Sequence, residues 1–298
     1  VTVRRLRAGL LAEPQASLGE APLWDARSGN LVWVDIFPGI VHVMAPSGRA
    51  VASYAVGHPV GSAMPADGGG WLLADARGFS LLHPDGRVDV VLDMLADRPH
   101  FRCNDAKCDP RGRAWAGTVA ADMAPGTGGL YRLDPGPVAV QVLDGLTVAN
   151  GIGWSPDHRT LWFADSGDRC IRGFDYDVAT GELGTRRHAI PLGEAPGVAD
   201  GLCVDDEGGV WVGLWGGSGV HRYTPDGRLD TVIEVPASQV TSCTFGGAGG
   251  TTLFITTARI GLAPDALERE PHAGDLFVVE PGVSGPAATP WHMEAGNG

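Results

Sequence analysis

VWVGLW, residues 210–215, followed by VHRYTPDG from Val220, decides the fold. An aromatic side chain sits inside an apolar strand, a glycine-rich turn follows, and a second strand ends at Pro-Asp-Gly. Pro presets φ and Gly accepts a positive φ, so the tripeptide is turn chemistry with a mechanism. Outward along the chain the unit recurs. Trp33 lies in LVWVDI, Trp71 in WLLAD, Trp115 in RAWAGT, Trp162 in LWFAD and Phe254 in LFITT. Counting Trp211, the aromatics are 38, 44, 47, 49 and 43 residues apart. Second strands follow as IVHVMAPSG from Ile40, FSLLHPDG from Phe79, LYRLDPG from Leu130, IRGFDYD from Ile171 and DLFVVEPG from Asp275. Third strands such as RVDVVLDM and LDTVIEV come next, and a short strand precedes each aromatic one.

Six units of four strands predict an all-β fold, a six-bladed β-propeller in which radial repetition protects the strand edges. The 45 glycines and 22 prolines supply the turns that so many short strands need. Helical periodicity is confined to Val90–Ala96 and Pro264–Arg269. No change of composition divides residues 1–298, so the chain reads as one domain. Thr2–Ala8 is the candidate strand for closing the ring.

A net charge of −13 disfavours nucleic acid and anionic lipid as partners. No run of about 18 apolar residues is present, so no bilayer-spanning helix is expected. The apolar stretch Ala8–Ala12 is too short for the core of a signal peptide. Five cysteines are too few for a disulfide scaffold and lack zinc-cage spacing. Buried thiols in a reducing cytoplasm are the expectation.

In a propeller the inner strands line a central channel. Their starts share one end of it with the loops between second and third strands. Polar residues stand at those starts: Glu20, Ser62, Asn104, Asn150, Asp200 and Ser242. They lie 13, 9, 11, 12, 11 and 12 residues before the aromatic of their blade. Glu20, Asn104, Asn150 and Asp200 would thus bring two carboxylates and two amides to one mouth. Singly, each could simply cap a turn. Together they suit a divalent cation, because unpaired carboxylates near one axis repel and oxygen donors favour hard ions. Calcium fits best, with Mg²⁺, Mn²⁺ and Zn²⁺ as alternatives.

The segments LGEAPLWD, RCNDAKCD, NGIGWSPD and ADGLCVDDEGGVWVG resemble the SMP-30/gluconolactonase/regucalcin-like family, from about Leu18 to Pro281. The resemblance implies a six-bladed propeller with one divalent metal at the channel mouth, held by Glu20, Asn150 and Asp200. It also implies substrate hydroxyls bound by Arg102 and Asn104 and by an acidic residue after AGT. Here AGTVAAD supplies Asp122, where better-known members carry the longer Glu. Read from the residues alone, Arg102 is either a donor to a polar ligand or an ion-pair partner of Asp97 or Asp105. Trp215 either walls the pocket or packs its loop. Residues 258–272 form either a lid or a surface excursion.

The expected reaction is metal-dependent hydrolysis of a sugar-acid lactone, such as glucono-, xylono- or arabinonolactone. The metal polarises the carbonyl and a carboxylate-assisted water attacks. Asp200 is the expected ligand and base, and Glu20 is mainly a ligand. Other esters or organophosphates, or a calcium-binding regulator without turnover, are the competing readings. No G-x-S-x-G elbow, histidine metal motif or P-loop supports another class; Ser218 lies in GGSGV and Gly126–Gly129 is a turn.

Overall fold

The computed structural model describes residues 2–134 and 137–292. Its strands form six sheets, each ordered from an inner to an outer strand, and the sheets are the blades of a six-bladed propeller. The inner strands are Gly19–Asp25, Val60–Pro65, Phe101–Cys108, Ala149–Trp154, Val198–Val204 and Val240–Gly246. Antiparallel pairing carries the chain outward within each blade, as from Val198–Val204 through Val210–Trp215 and Gly219–Tyr223 to Leu229–Glu234. The turn at the end of LYRLDPG, residues 135–136, lies outside the described residues.

The core is a set of layers between neighbouring blades. Val32 and Val43 of blade one meet Val60 and Leu73 of blade two, while Leu161 and Phe163 of blade four meet Trp115 and Leu130 of blade three. Cys203 and Trp211 of blade five meet Phe245 and Ile255 of blade six. This is why the strands flanking the channel are apolar on both faces: each blade is covered by two others. The six repeat aromatics are all buried. Two indoles are also tied down at the turn below them. Trp115 Nε1 donates to Asp109 (3.2 Å) and Trp211 Nε1 to Asp205 (2.8 Å).

Two expectations are corrected. Thr2–Ala8 does not close the ring. Its Arg4–Arg7 segment runs parallel to Leu229–Glu234 as a fifth, outermost strand of blade five. The next segment, Gly9–Ala12, pairs antiparallel with Leu276–Val279 and completes blade six. The apolar spacing at Val90–Ala96 is not helical either. Val88–Asp93 is the outer strand of blade two, with a register shift between Val90 and Leu92 that breaks its alternation. Pro264–Arg269 is a helix, begun by Pro at its first turn.

Candidate active site

All six inner strands slip register at or beside their polar residue. The shifts fall at Glu20/Leu23, Val60/Ser62, Cys103/Ala106, Ala149/Ile152, Ala199/Leu202 and Val240/Ser242. A bulge bends its strand and re-aims side chains, and Glu20, Asn150 and Asp200 come close enough to interact. Close approach of the strands there demands small neighbours. A Cβ on Gly201 would lie 2.1 Å from Ser242 Oγ, and one on Gly151 would lie 2.4 Å from Leu202 N. Ala21, beside Glu20, takes a positive φ of 43°.

Some of these polar groups are consumed by the scaffold. Asn104 donates Nδ2 to Ala149 O (2.9 Å) and accepts Arg102 Nη1 at Oδ1 (2.7 Å). Ser62 accepts Ala106 N (2.9 Å), bridging blades two and three. Asn150 differs. Its Nδ2 donates to Ser166 Oγ (3.1 Å), which itself donates to Ala199 O (2.7 Å). With the amide turned this way, Asn150 Oδ1 is buried without a hydrogen-bond partner among the described residues. A buried carbonyl oxygen left unpaired is costly, and a cation is one way to satisfy it.

Glu20 and Asp200 are both buried. Burial raises the Glu20 carboxyl well above its usual range, and the charges of Asp200 and Asp105 push further in the same direction. Asp200 is pushed up to about 8 by burial and by Asp105, against hydrogen bonds with Asn150 and Glu20. Burial lowers the Arg102 pKa, while Glu20 and Asp200 oppose that shift. The arrangement is thus two carboxylates and an orphaned amide oxygen within electrostatic reach of one guanidinium. An all-oxygen donor set with surplus negative charge fits a hard divalent cation.

The sequence had left Asp105 as only an ion-pair candidate for Arg102. It is buried beside Asn104 and accepts Ser62 Oγ at 3.4 Å. Strict alternation would have sent it to the opposite face from Asn104; the bulge is what alters that, and spacing alone does not reveal it. Arg102 pairs with neither Asp97 nor Asp105 among the described residues. Ser166, which orients Asn150, also went unremarked in LWFADSG. Asp122 is exposed in the loop after its strand, and its Oδ1 caps Ala124 N (3.1 Å). No hydrogen bond joins it to Arg102 or Asn104 among the described residues.

Trp215 packs on the apolar cluster containing Leu18, Ala21 and Ile260, and bridges to Gln239. Residues 258–272 are pinned to blade one: Arg259 N and Ile260 N both donate to Ser17 O (3.1 and 2.9 Å). Farther out, Glu13, His272 and Asp275 bring their donor atoms together, with His272 Nδ1 2.9 Å from Asp275 Oδ2. The five cysteines are free thiols. No helix among the described residues is long and apolar enough to cross a membrane.

A six-bladed propeller whose inner strands bring the buried Glu20, Asn150 and Asp200 close together defines the class. The chain belongs to the SMP-30/gluconolactonase/LRE-like family, whose model matches residues 18–259. Regucalcin of Danio rerio is 35% identical over 265 residues, covering 88% of this chain and 90% of that protein. The crystal structure of a calcium-binding protein, regucalcin, from Agrobacterium tumefaciens superposes with a TM-score of 0.92 at 27% identity, covering 98% of this chain and 99% of that one. A luciferin-regenerating enzyme superposes with a TM-score of 0.85 at 28% identity, covering 94% and 96%.

Proposed function

We propose that this protein is a metal-dependent lactonase that opens the ring of a sugar-acid lactone, an aldonolactone of the glucono-, xylono- or arabinono- type. The observation that carries the reading is the unpartnered Asn150 Oδ1, buried at the mouth with Glu20 and Asp200. The family's gluconolactonase members support the reaction class, and the calcium-binding relative supports Ca²⁺ as the ion.

Glu20, Asn150 and Asp200 would hold a divalent ion, which when bound would supply Lewis acidity toward the lactone carbonyl. Arg102, fixed by Asn104 and Cys103 O, presents its remaining N–H groups to ring hydroxyls. Asn104 is held rigidly by Ala149 O and sets the position of that guanidinium. Asp122, on the loop of the same blade, accepts from an outer hydroxyl. Asp200 takes a proton from the attacking water as the new C–O bond forms. The ring C–O bond then breaks, and the proton returns to the departing oxygen, leaving an open-chain hydroxy acid.

Acid release from a panel of lactones, with and without EDTA, tests the reading. Turnover should require the metal. Asp200→Ala should cut the rate about 10²–10⁴-fold, the usual contribution of a positioned acid–base group. Wild-type turnover in that variant would remove Asp200 from the mechanism. Metal binding with no turnover on any lactone would point instead to a regulator.

A further inference from the structure

Among the described residues, seven large apolar side chains are exposed, and five of them lie on the outermost strands of their blades. The other two, Phe37 and Met123, stand on loops between second and third strands, at the end where the inner strands begin. Phe37 is held out by its turn. Ile36 N donates to Leu18 O (3.0 Å), Val60 N to Ile36 O (3.1 Å) and Gly39 N to Asp35 O (3.1 Å). Gly39 has a φ of 66° and sits so close to the next blade that a Cβ would lie 2.1 Å from His58 O. A turn pinned on both sides does not swing its phenyl inward, and the ring stays 47% exposed. Arg102 of blade three reaches past blade two to meet it, with the guanidinium carbon 5.6 Å from the centre of the Phe37 ring. Nη1 of that guanidinium is taken by Cys103 O (3.0 Å) and Asn104 Oδ1 (2.7 Å), while Nε and Nη2 donate to nothing among the described residues.

We propose that Phe37 is a specificity-determining residue, an aromatic platform beside Arg102 that selects cyclic polyols, lactone rings among them, by packing on their C–H face. The inference rests on the reading of the mouth as a lactone site and names the ligand shape that the site prefers. A sugar ring carries its hydroxyls around the edge and its C–H groups on the faces. The free N–H groups of Arg102 suit the edge, and the adjoining phenyl suits a face. An open-chain polyol offers the same hydroxyls and no such face. Covering an exposed phenyl also removes apolar surface from water, which the folded chain by itself does not do.

The test compares 1,5-anhydroglucitol, a ring with no ester to hydrolyse, with open-chain glucitol, both titrated against the full chain by saturation-transfer NMR. Wild type should bind the ring at least fivefold tighter. Phe37→Ala should weaken ring binding about five- to tenfold and glucitol less than twofold, and KM for the best lactone should rise by the same factor. Phe37→Tyr should bind the ring within about twofold of wild type, and Tm should stay within about 2 °C for an exposed side chain. Phe37→Leu, apolar but without a flat face, should lose at least threefold on the ring, and it decides the matter if Phe37→Ala does not fold. Equal losses on ring and chain, or no loss on the ring, overturn the proposal. So does a weaker ring complex accompanied by a Tm at least 5 °C lower, which would mark a structural role, or a Phe37→Leu variant that keeps the preference. A wild type that does not prefer the ring overturns it as well. Ring binding that depends on Phe37 with no lactone turned over removes the lactonase reading and leaves this one standing. Turnover with ring binding indifferent to Phe37 does the reverse.

Discussion

Asn150 divides scaffold from site across a single amide. Its nitrogen end belongs to the fold, through Ser166 and the backbone of blade five, while its oxygen end has no partner among the described residues. The neighbouring carboxylates are arranged likewise, since among the described residues Glu20 and Asp200 are buried without a lysine or arginine ion pair. Such groups make metal-free stability depend on pH. Burial and the charge of Asp105 push Asp200 up to about 8, and burial shifts Glu20 and Asp105 upward from the usual carboxylate range too. The folded state therefore binds more protons than the unfolded one in this window, and stability falls as pH rises through it. His221 and His42, whose pKa values burial lowers, act in the opposite sense, but their contribution is complete above the ordinary histidine range, about 6.5. The EDTA-treated protein should thus lose Tm between pH 6.5 and 8, and Ca²⁺ should abolish that loss. Paired melting scans check it; a metal-free Tm that rises across this interval would mean the carboxylates are not electrostatically strained.

At the scale of the element, the turn aspartates explain why the repeat was legible. Asp205 is fully buried, accepts Glu207 N and Gly209 N, and binds both Trp211 Nε1 and Arg222 Nε (2.7 Å). Turn, aromatic strand and following strand are locked by one carboxylate, so aspartate, glycine and tryptophan recur together in the sequence. Asp205→Ala leaves Arg222 its partners Glu207 and Asp230 but unpairs the Arg222 Nε and the Trp211 indole N–H, and should destabilise the fold by about 1–3 kcal/mol, the usual cost of a buried donor left unsatisfied. Denaturant unfolding measures it, and a loss below about 1 kcal/mol would show the network to be dispensable. What the sequence hid were features set by pairing partners rather than by composition. The stretch VVLDMLA has helical spacing and overlaps RVDVVLDM, which reads as a third strand; only the pairing of Val88–Asp93 with its hairpin partner decides for the strand. Asp105 needed the bulge, and the bulge is set by how closely six strands approach the axis. Glu20, Asn150 and Asp200 were legible because the repeat placed them at equivalent positions.

The whole molecule is a ring whose ends must be joined, and it is joined at both faces of the sequence. Gly9–Ala12 supplies the outer strand of blade six, with Gly9 opposite Val278, Leu10 opposite Phe277 and Ala12 opposite Leu276. The other terminus runs beneath the blades: Ala288 N donates to Trp24 O, Trp291 N to Pro65 O and His292 N to Gly112 O. Trp291 is buried against Met64 and Leu23, so this segment ties blade six to blades one, two and three. Arg4–Arg7, by contrast, is a mostly exposed addition to an already complete blade. The two N-terminal segments are adjacent and similar in length, which is why sequence alone did not tell them apart. Their roles predict unequal truncations. Removing residues 1–8 should lower Tm by only a few degrees, about 2–4 °C for each kcal/mol in a chain of this size. Removing residues 1–13 unpairs the edge of blade six and exposes the Leu276 and Phe277 backbone to solvent. That chain should melt at least 10 °C lower than the first or fail to fold, and should lose Mn²⁺ binding because Glu20 stands on the adjoining blade. Equal melting temperatures for the two truncations would show that Gly9–Ala12 does not hold the ring shut.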